Sequence, residues 1–392
     1  MKAKWKQVTL NDVVDTLGDG IHGTPKYSVN GKYAFINGNN LVDGQIQIKD
    51  STKFVDIDEY SKHKKPLSDR TIFVSINGTL GNIAMYRGEK VILGKSACYF
   101  NVSKNICKDY IRFVVMSPDF RNYLQNQATG TTIKNISLKQ MREYPFLLPP
   151  FEIQKTIASI LSALDDKIEL NKKINENLEQ QLLALYKNVV LSSIYTTEIA
   201  LSSLCTFQEG YVNPAQTHNE YFGGDVKWLR AVDINESFII NTSRTLTMEG
   251  FQSAKKSALL FSPNTIAISK SGTIGRLGII SDYMCGNRAV INIAPYNKNH
   301  LAFIYCYLKS RQHEFSDMAV GSVQKNLYVS RLKPLIVSMP DRESVSVFNT
   351  IGALLLNTIQ NNCIENTKLI CLRDILLPRL MSGELDVSDL DI

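Results

Sequence analysis

No apolar run in the 392 residues comes near the roughly 18 needed to cross a bilayer. The opening Met1-Lys-Ala-Lys-Trp-Lys is basic but passes at once into polar Thr9-Leu-Asn-Asp, so it lacks the apolar core of a secretory leader. The seven cysteines are odd in number and form no C-x-x-C pair, which speaks against a disulfide framework or a zinc site and for reduced cytoplasmic thiols. The five histidines, at 22, 63, 218, 300 and 313, form no H-E-x-x-H or H-x-x-x-H pair, so no metal centre is expected.

The usual marks of catalysis on DNA are missing too. Neither Asn-Pro-Pro-Tyr nor Asp-Pro-Pro-Tyr occurs, and Leu148-Pro-Pro-Phe151 lacks the hydrogen-bonding first residue. Gly18-Asp-Gly-Ile-His-Gly23 fits G-x-G-x-x-G, yet it leads into Thr24-Pro25 rather than a helix, where a dinucleotide site needs one. Gly94-Lys95-Ser96 resembles the end of a phosphate loop, but Gly88 stands one residue too far upstream. Asp165-Asp166-Lys167 has the D-x-K form of a nuclease without an upstream Pro-Asp. The expectation is a non-catalytic protein with no metal and no cofactor of its own.

What is present is a charge that alternates along the chain. Residues 1–150 carry 21 Lys and Arg against 13 Asp and Glu, and residues 191–340 carry 14 against 10. Residues 151–190 carry 5 against 6, and residues 341–392 carry 4 against 8. Two basic segments therefore alternate with two that are not. A basic surface concentrates a polyanion and releases its counterions on contact. Ordinary solubility accounts for the net charge of +7 equally well when charge is taken alone.

The chain also repeats itself with a period of 191–194 residues. Ser75-Ile-Asn-Gly-Thr-Leu-Gly81 returns as Ser269-Lys-Ser-Gly-Thr-Ile-Gly275. Ala128-Thr-Gly-Thr-Thr-Ile-Lys-Asn-Ile136 returns as Ala319-Val-Gly-Ser-Val-Gln-Lys-Asn-Leu327, and Leu148-Pro149 as Met339-Pro340. A fainter echo joins Phe35–Leu41 to Trp228–Ile234. Within each repeat, Ile72–Ile76, Ala97–Val102, Thr265–Ile268 and Val290–Ile293 read as strands, while Tyr110–Leu124 and Leu301–Lys309 read as helices. The fold class is α+β: two homologous mixed modules, residues 1–150 and 191–340, separated by helical segments at 151–190 and 341–392.

Those segments carry apolar residues at three-four spacing: Ile157, Leu161, Leu164, Ile168, Leu178, Leu182, Leu185 and Val189, then Ile351, Leu355, Ile359, Leu369, Leu372 and Leu376. Such spacing is the seam of a coiled coil. Asn171 and Asn175 interrupt the first seam, and Asn362 and Asn366 stand 191 residues later. Polar seam residues cost stability but penalise wrong registers, so mutual pairing of these four would set the register of two antiparallel helices and make the repeat a pseudo-twofold. Exposure where the helices splay is the other reading. About 40 helical residues span at most roughly 60 Å, more than one turn of DNA at about 34 Å.

Three pairs of segments have the chemistry to read DNA, because base edges are read by side chains while phosphate contacts set position. The Ser-x-x-Gly-Thr-x-Gly loops offer Ser75, Asn77 and Thr79 in repeat one, and Ser269, Lys270, Ser271, Thr273 and Arg276 in repeat two. They fit a structural hairpin equally well. The second pair offers Lys95 and Ser96 against Asn287 and Arg288, residue types that pair with adenine and guanine in two-pronged fashion. The third offers Thr131 and Lys134 against Gln324 and Lys325.

With these features the chain resembles the specificity subunit of type I restriction–modification systems over its whole length. The most specific pieces are Leu148-Pro-Pro-Phe-Glu-Ile-Gln-Lys-Thr-Ile157 and Leu376-Leu-Pro-Arg-Leu-Met-Ser-Gly-Glu-Leu385. The second helix departs, since Met339-Pro-Asp-Arg-Glu-Ser-Val lacks the Pro-Pro…Gln pattern. The resemblance implies two target recognition domains, each reading half of a gapped double-stranded DNA sequence. It implies helices that set the gap and dock two methyltransferase subunits, with motor-nuclease subunits joining for cleavage. S-adenosylmethionine, Mg and ATP would sit only on those partners. A coiled-coil adaptor for some other polyanion, or a regulator acting without methyltransferase partners, are the alternatives.

Overall fold

The computed structural model describes residues 5–130, 133–235, 237–321 and 324–388. Its contacts divide the chain into two units, residues 1–166 with 370–392, and residues 167–369. Each unit takes in part of both long helices.

In the first unit, β-branched and aromatic runs fold into a four-stranded sheet in which Ala97–Val102 pairs antiparallel with Val14–Gly18 on one side and Thr71–Ser75 on the other. A second sheet sets Tyr33–Ile36 parallel to Val91–Leu93 and antiparallel to Lys53–Val55. The second unit builds the same frame. Val290–Pro295 lies between Cys205–Glu209 and Ile266–Ser269, and Phe222–Leu229 runs parallel to Met284–Gly286. In both units a short antiparallel ladder leads into the long helix: Lys6–Thr9 with Pro145–Leu148, and Thr196–Ala200 with Ile336–Pro340.

One helix expected from periodicity is two. Tyr110–Leu124 is split into Lys108–Met116 and Pro118–Gln127, because Pro118 cannot donate to the preceding turn while Ser117 Oγ accepts from Phe120 N and caps a new start.

The first long helix runs Phe151–Ser192 and the second Arg342–Met381. Gln154, 2% exposed, seats the start of the first: its Oε1 accepts from Cys107 N at 2.9 Å and its Nε2 donates to the Pro149 carbonyl at 2.8 Å. In the first unit Ile157, Ala158 and Leu161 bury against Leu377, Leu380 and Val387 in the module's core. Asp165 accepts from Arg373 at 3.0 Å and pairs with Arg112 at 3.3 Å, so the D-x-K carboxylate is spent on an ion cluster. In the second unit Leu182, Tyr186, Phe348, Leu356 and Ile359 share one core with Phe303 and Tyr305. Glu179 accepts from Ser237 Oγ at 2.8 Å and from the Tyr305 hydroxyl, and pairs with Lys309 at 3.3 Å.

The seam expected on the second helix needs correcting. Ile351 and Leu372 are 41% and 45% exposed, while Phe348, Leu356, Cys363, Leu377 and Leu380 are buried. The helix is apolar on several faces at once, as in Leu354-Leu355-Leu356, so spacing alone does not decide which face turns inward.

The four asparagines meet in the second unit. Asn171 Nδ2 donates to Asn366 Oδ1 at 2.9 Å and to Glu365 Oε2 at 2.7 Å, and Asn362 Nδ2 donates to Asn175 Oδ1 at 2.8 Å. Asn366 Nδ2 donates to the Ile168 carbonyl at 3.4 Å. The partner numbers fall as the first helix advances, which is antiparallel order. No helix among the described residues is long and apolar enough to cross a membrane.

Candidate nucleic-acid interface

The three candidate segments of repeat one, distant in sequence, are stitched together by their backbones. Ile76 N donates to the Ser96 carbonyl at 3.0 Å, Gly78 N to the Lys134 carbonyl at 3.0 Å, and Ile136 N to the Ile76 carbonyl at 2.9 Å. Repeat two does the same: Lys270 N donates to the Ala289 carbonyl at 2.7 Å, and Leu327 N to the Lys270 carbonyl at 2.9 Å. Thr129 and Asn135 bond each other through both backbone groups, as do Val320 and Asn326. Each unit thus carries one platform of three converging loops.

The physical role of the Ser-x-x-Gly-Thr-x-Gly sequence is now evident. Ser75 Oγ donates to the Thr79 carbonyl at 2.6 Å and accepts from Asn82 N at 2.8 Å. Ser269 Oγ donates to the Thr273 carbonyl and accepts from Arg276 N at 2.8 Å. Both serines have 0% exposure. The last glycines turn the chain at φ +81° and +85°, and the middle ones at +76° and +75°, a region side chains avoid. Ser75 and Ser269 are therefore loop anchors, and the expectation that they touch DNA is corrected: a buried hydroxyl with both partners internal has nothing left to offer a base.

Other candidates are also committed. Lys270 pairs with Glu209 at 2.9 Å and sits over the Tyr328 ring at 5.1 Å, so its ammonium is engaged within the unit. Ser96 Oγ donates to Asn37 Oδ1 at 3.0 Å and accepts from Gly38 N at 2.9 Å, which makes it a brace. Asn77 reaches Asn135 at 3.4 Å, and Asn287 Oδ1 accepts from Ala289 N at 3.0 Å. Ser271, Asn77, Arg276 and Asn287 are half-buried at the platform edge.

Exposed on the platforms are Thr79, Lys95 and Lys134 in the first unit, and Thr273, Arg288, Gln324 and Lys325 in the second. Among the described residues the charged ends of Lys95, Lys134, Arg288 and Lys325 have no hydrogen-bond or ion-pair partner. Thr131 lies outside the described residues. The glycine of Gly94-Lys95-Ser96 serves close packing: a Cβ there would meet Asn37 Oδ1 at 2.2 Å.

A fourth segment, which the sequence candidates do not include, belongs to each platform. Asn37–Asn40 forms a turn closed by Asn37 N donating to Asn40 Oδ1 at 2.9 Å, and Arg230–Asp233 repeats it with Arg230 N donating to Asp233 Oδ2 at 2.9 Å. The first meets Ser96 as above; beside the second, Asn287 N donates to the carbonyl of Leu229, the residue that precedes the turn, at 2.9 Å. Val232 stands 60% exposed on it. The echo between Phe35–Leu41 and Trp228–Ile234 is the sequence signal for this turn.

Twice-built platforms edged with uncommitted cations suit a polyanion carrying information in two places. Comparison with known proteins gives that class a name. Residues 2–180 and 196–369 match the family model of the type I restriction modification DNA specificity domain. The chain is similar to the HindI specificity subunit of Haemophilus influenzae, with 23% identity over 71% of this chain and 78% of that one. It is likewise similar to the MjaIX specificity subunit of Methanocaldococcus jannaschii, with 25% identity over 73% and 71%. The crystal structure of a type I system S subunit from Mycoplasma genitalium shares its fold, with a TM-score of 0.57 and 18% identity over 97% of this chain and 96% of that one. The chain belongs to the type I restriction–modification DNA specificity family, and its work is to recognise DNA sequence within such a system.

Proposed function

We propose that each platform reads one half of a two-part, gapped double-stranded DNA sequence, and that the two long helices set the length of the gap. The observation that carries this is the convergence of the same loops in both units with different exposed side chains. Lys95 and Lys134 occupy positions taken by Arg288 and Lys325, while Ile133 stands where Gln324 does. A shared scaffold with unlike edges is what two readers of unlike half-sites require. The asparagine pairs are register devices: Asn171 donates to Asn366 as Asn362 does to Asn175, which is the relation a pseudo-twofold axis produces.

The same helices dock two methyltransferase subunits. Leu170 and Ile174 on the first helix and Val347 and Leu354 on the second expose apolar side chains at 52%, 38%, 57% and 65%, which favours a protein partner over DNA on that surface. Motor-nuclease subunits join for cleavage. S-adenosylmethionine, Mg and ATP belong to those partners, all of them cytoplasmic, and this chain supplies recognition without chemistry.

A genome-wide map of methylated adenine in cells with and without the gene tests the reading. Loss of one gapped, two-part motif is the expected result and yields both half-sites and the gap. An unchanged map in cells that express an active methyltransferase partner overturns it.

A further inference from the structure

The Gly18–Gly23 segment is a fifth loop of the first platform. Ile21 N donates to the Leu93 carbonyl at 2.7 Å, and Lys95 N to the Ile21 carbonyl at 3.0 Å. In repeat two Gly210 N donates to the Val290 carbonyl at 2.9 Å, and Val212 N to the Gly286 carbonyl at 3.1 Å. Both loops leave the core sheet at the same rung: Gly18 pairs with Tyr99 and Gln208 with Asn292, each two residues past the ladder partner of the anchoring serine. Gly20 and Gly210 then press on the neighbouring segment, where a Cβ would meet the Leu93 carbonyl oxygen at 2.1 Å and the Asn287 carbonyl oxygen at 2.2 Å. Between rung and glycine each loop carries a carboxylate, Asp19 or Glu209.

Each carboxylate is half engaged. Asp19 Oδ2 lies 2.7 Å from His22 Nε2. Glu209 Oε2 accepts from Lys270 Nζ at 2.9 Å and from the Tyr211 hydroxyl at 3.0 Å. The other oxygens, Asp19 Oδ1 and Glu209 Oε1, have no hydrogen-bond partner among the described residues and are not buried. The side chains are 20% and 21% exposed. The segments beside the two loops carry the unpaired cations Lys95 and Arg288.

An ionised carboxylate only accepts hydrogen bonds, and DNA offers it few donors. Phosphate has none. Base edges donate through cytosine N4 and adenine N6 in the major groove and guanine N2 in the minor. Adenine sets an acceptor, N7, beside N6, where it repels the second carboxylate oxygen. The two remaining donors belong to one C·G pair, whose guanine O6 and N7 suit an adjacent Lys or Arg. We propose that Asp19 and Glu209 are specificity-determining residues, each accepting the amino group of a C·G pair in its half-site. This rests on the reading that the platforms face DNA bases.

Mapping methylated adenine in cells that express the complete system tests it, with the parent chain, Glu209→Gln and Asp19→Asn compared. The parent motif is expected to hold a C·G pair in both halves. Glu209→Gln is expected to relax one such pair and admit adenine, whose N6 and N7 suit an amide, while the other half stays unchanged; Asp19→Asn does the converse. Discrimination at the relaxed pair, read as methylation rates on substituted DNA, falls about tenfold. An unchanged motif in folded variants, with only the melting temperature lowered, overturns the proposal and makes the carboxylates internal braces. A parent half-site without a C·G pair overturns it with no variant needed, which decides the matter even where a substitution prevents folding. Either result leaves the two-part reading standing, whereas a parent map with no gapped motif overturns both.

Discussion

Asn171 donates its side-chain amide to the Asn366 carbonyl oxygen at 2.9 Å from a site where the two residues are only 1% and 5% exposed. On the proposed reading such a pair selects one alignment of the helices, since a slip would leave buried amides without these partners.

Replacing Asn171 by Ala therefore removes Asn366's donor and costs about 1–3 kcal/mol in a urea melt. The double change Asn171→Leu with Asn366→Leu recovers that stability or exceeds it, because two apolar side chains replace a desolvated polar pair. Its expected penalty lies elsewhere, in methylation at sites with altered gaps. A double variant with the original single gap means the register is held by other contacts.

Ser75→Ala and Ser269→Ala each strand a carbonyl and an amide inside a loop. The expected loss is about 1–3 kcal/mol of stability per site, with the preferred DNA sequence unchanged. A selection experiment on randomised DNA that shows a new base preference contradicts the anchor role.

Arg288 is exposed with no partner among the described residues, whereas Lys270 is paired to Glu209. Arg288→Ala is expected to relax one half-site by about 1–3 kcal/mol and leave the other intact. Uniform weakening on every sequence, with a shallower salt dependence, instead makes Arg288 a phosphate contact. Lys270→Ala affects stability more than sequence preference.

Deleting seven residues from each long helix removes about 10 Å of helix, or about 3 base pairs of DNA. The methylated motif is expected to keep both half-sites and shorten its gap. An unchanged gap rules out the helices as the spacer.

Glu365 accepts from Asn171 and faces Lys167 at 3.3 Å; the Asn171 hydrogen bond comes first among the influences that hold its carboxyl below the ordinary value. A depressed carboxylate adds stability above its unfolded pKa and loses it as pH falls through the folded value. Glu365→Gln is thus less stable than the parent at neutral pH, and the gap closes on acidification below about pH 4.5. A difference independent of pH contradicts the charge-based account.

Much of this protein is written locally. Glycines at positive φ, β-branched runs between them, paired prolines before the first long helix and asparagines at a fixed offset are short-range signals, and each acts through its own backbone or side chain. They sufficed to read two similar modules and two helices. They did not reveal which hydroxyls are exposed. Ser75 and Thr79 lie four residues apart in one motif, yet the first is buried by strands from elsewhere and the second faces solvent. Lys270 looked free until Glu209, 61 residues away, was placed beside it. The second helix offers several apolar faces, and only the module packed against it selects one. Burial depends on what distant parts of the chain bring alongside, so exposure and pairing were decided by the tertiary structure alone.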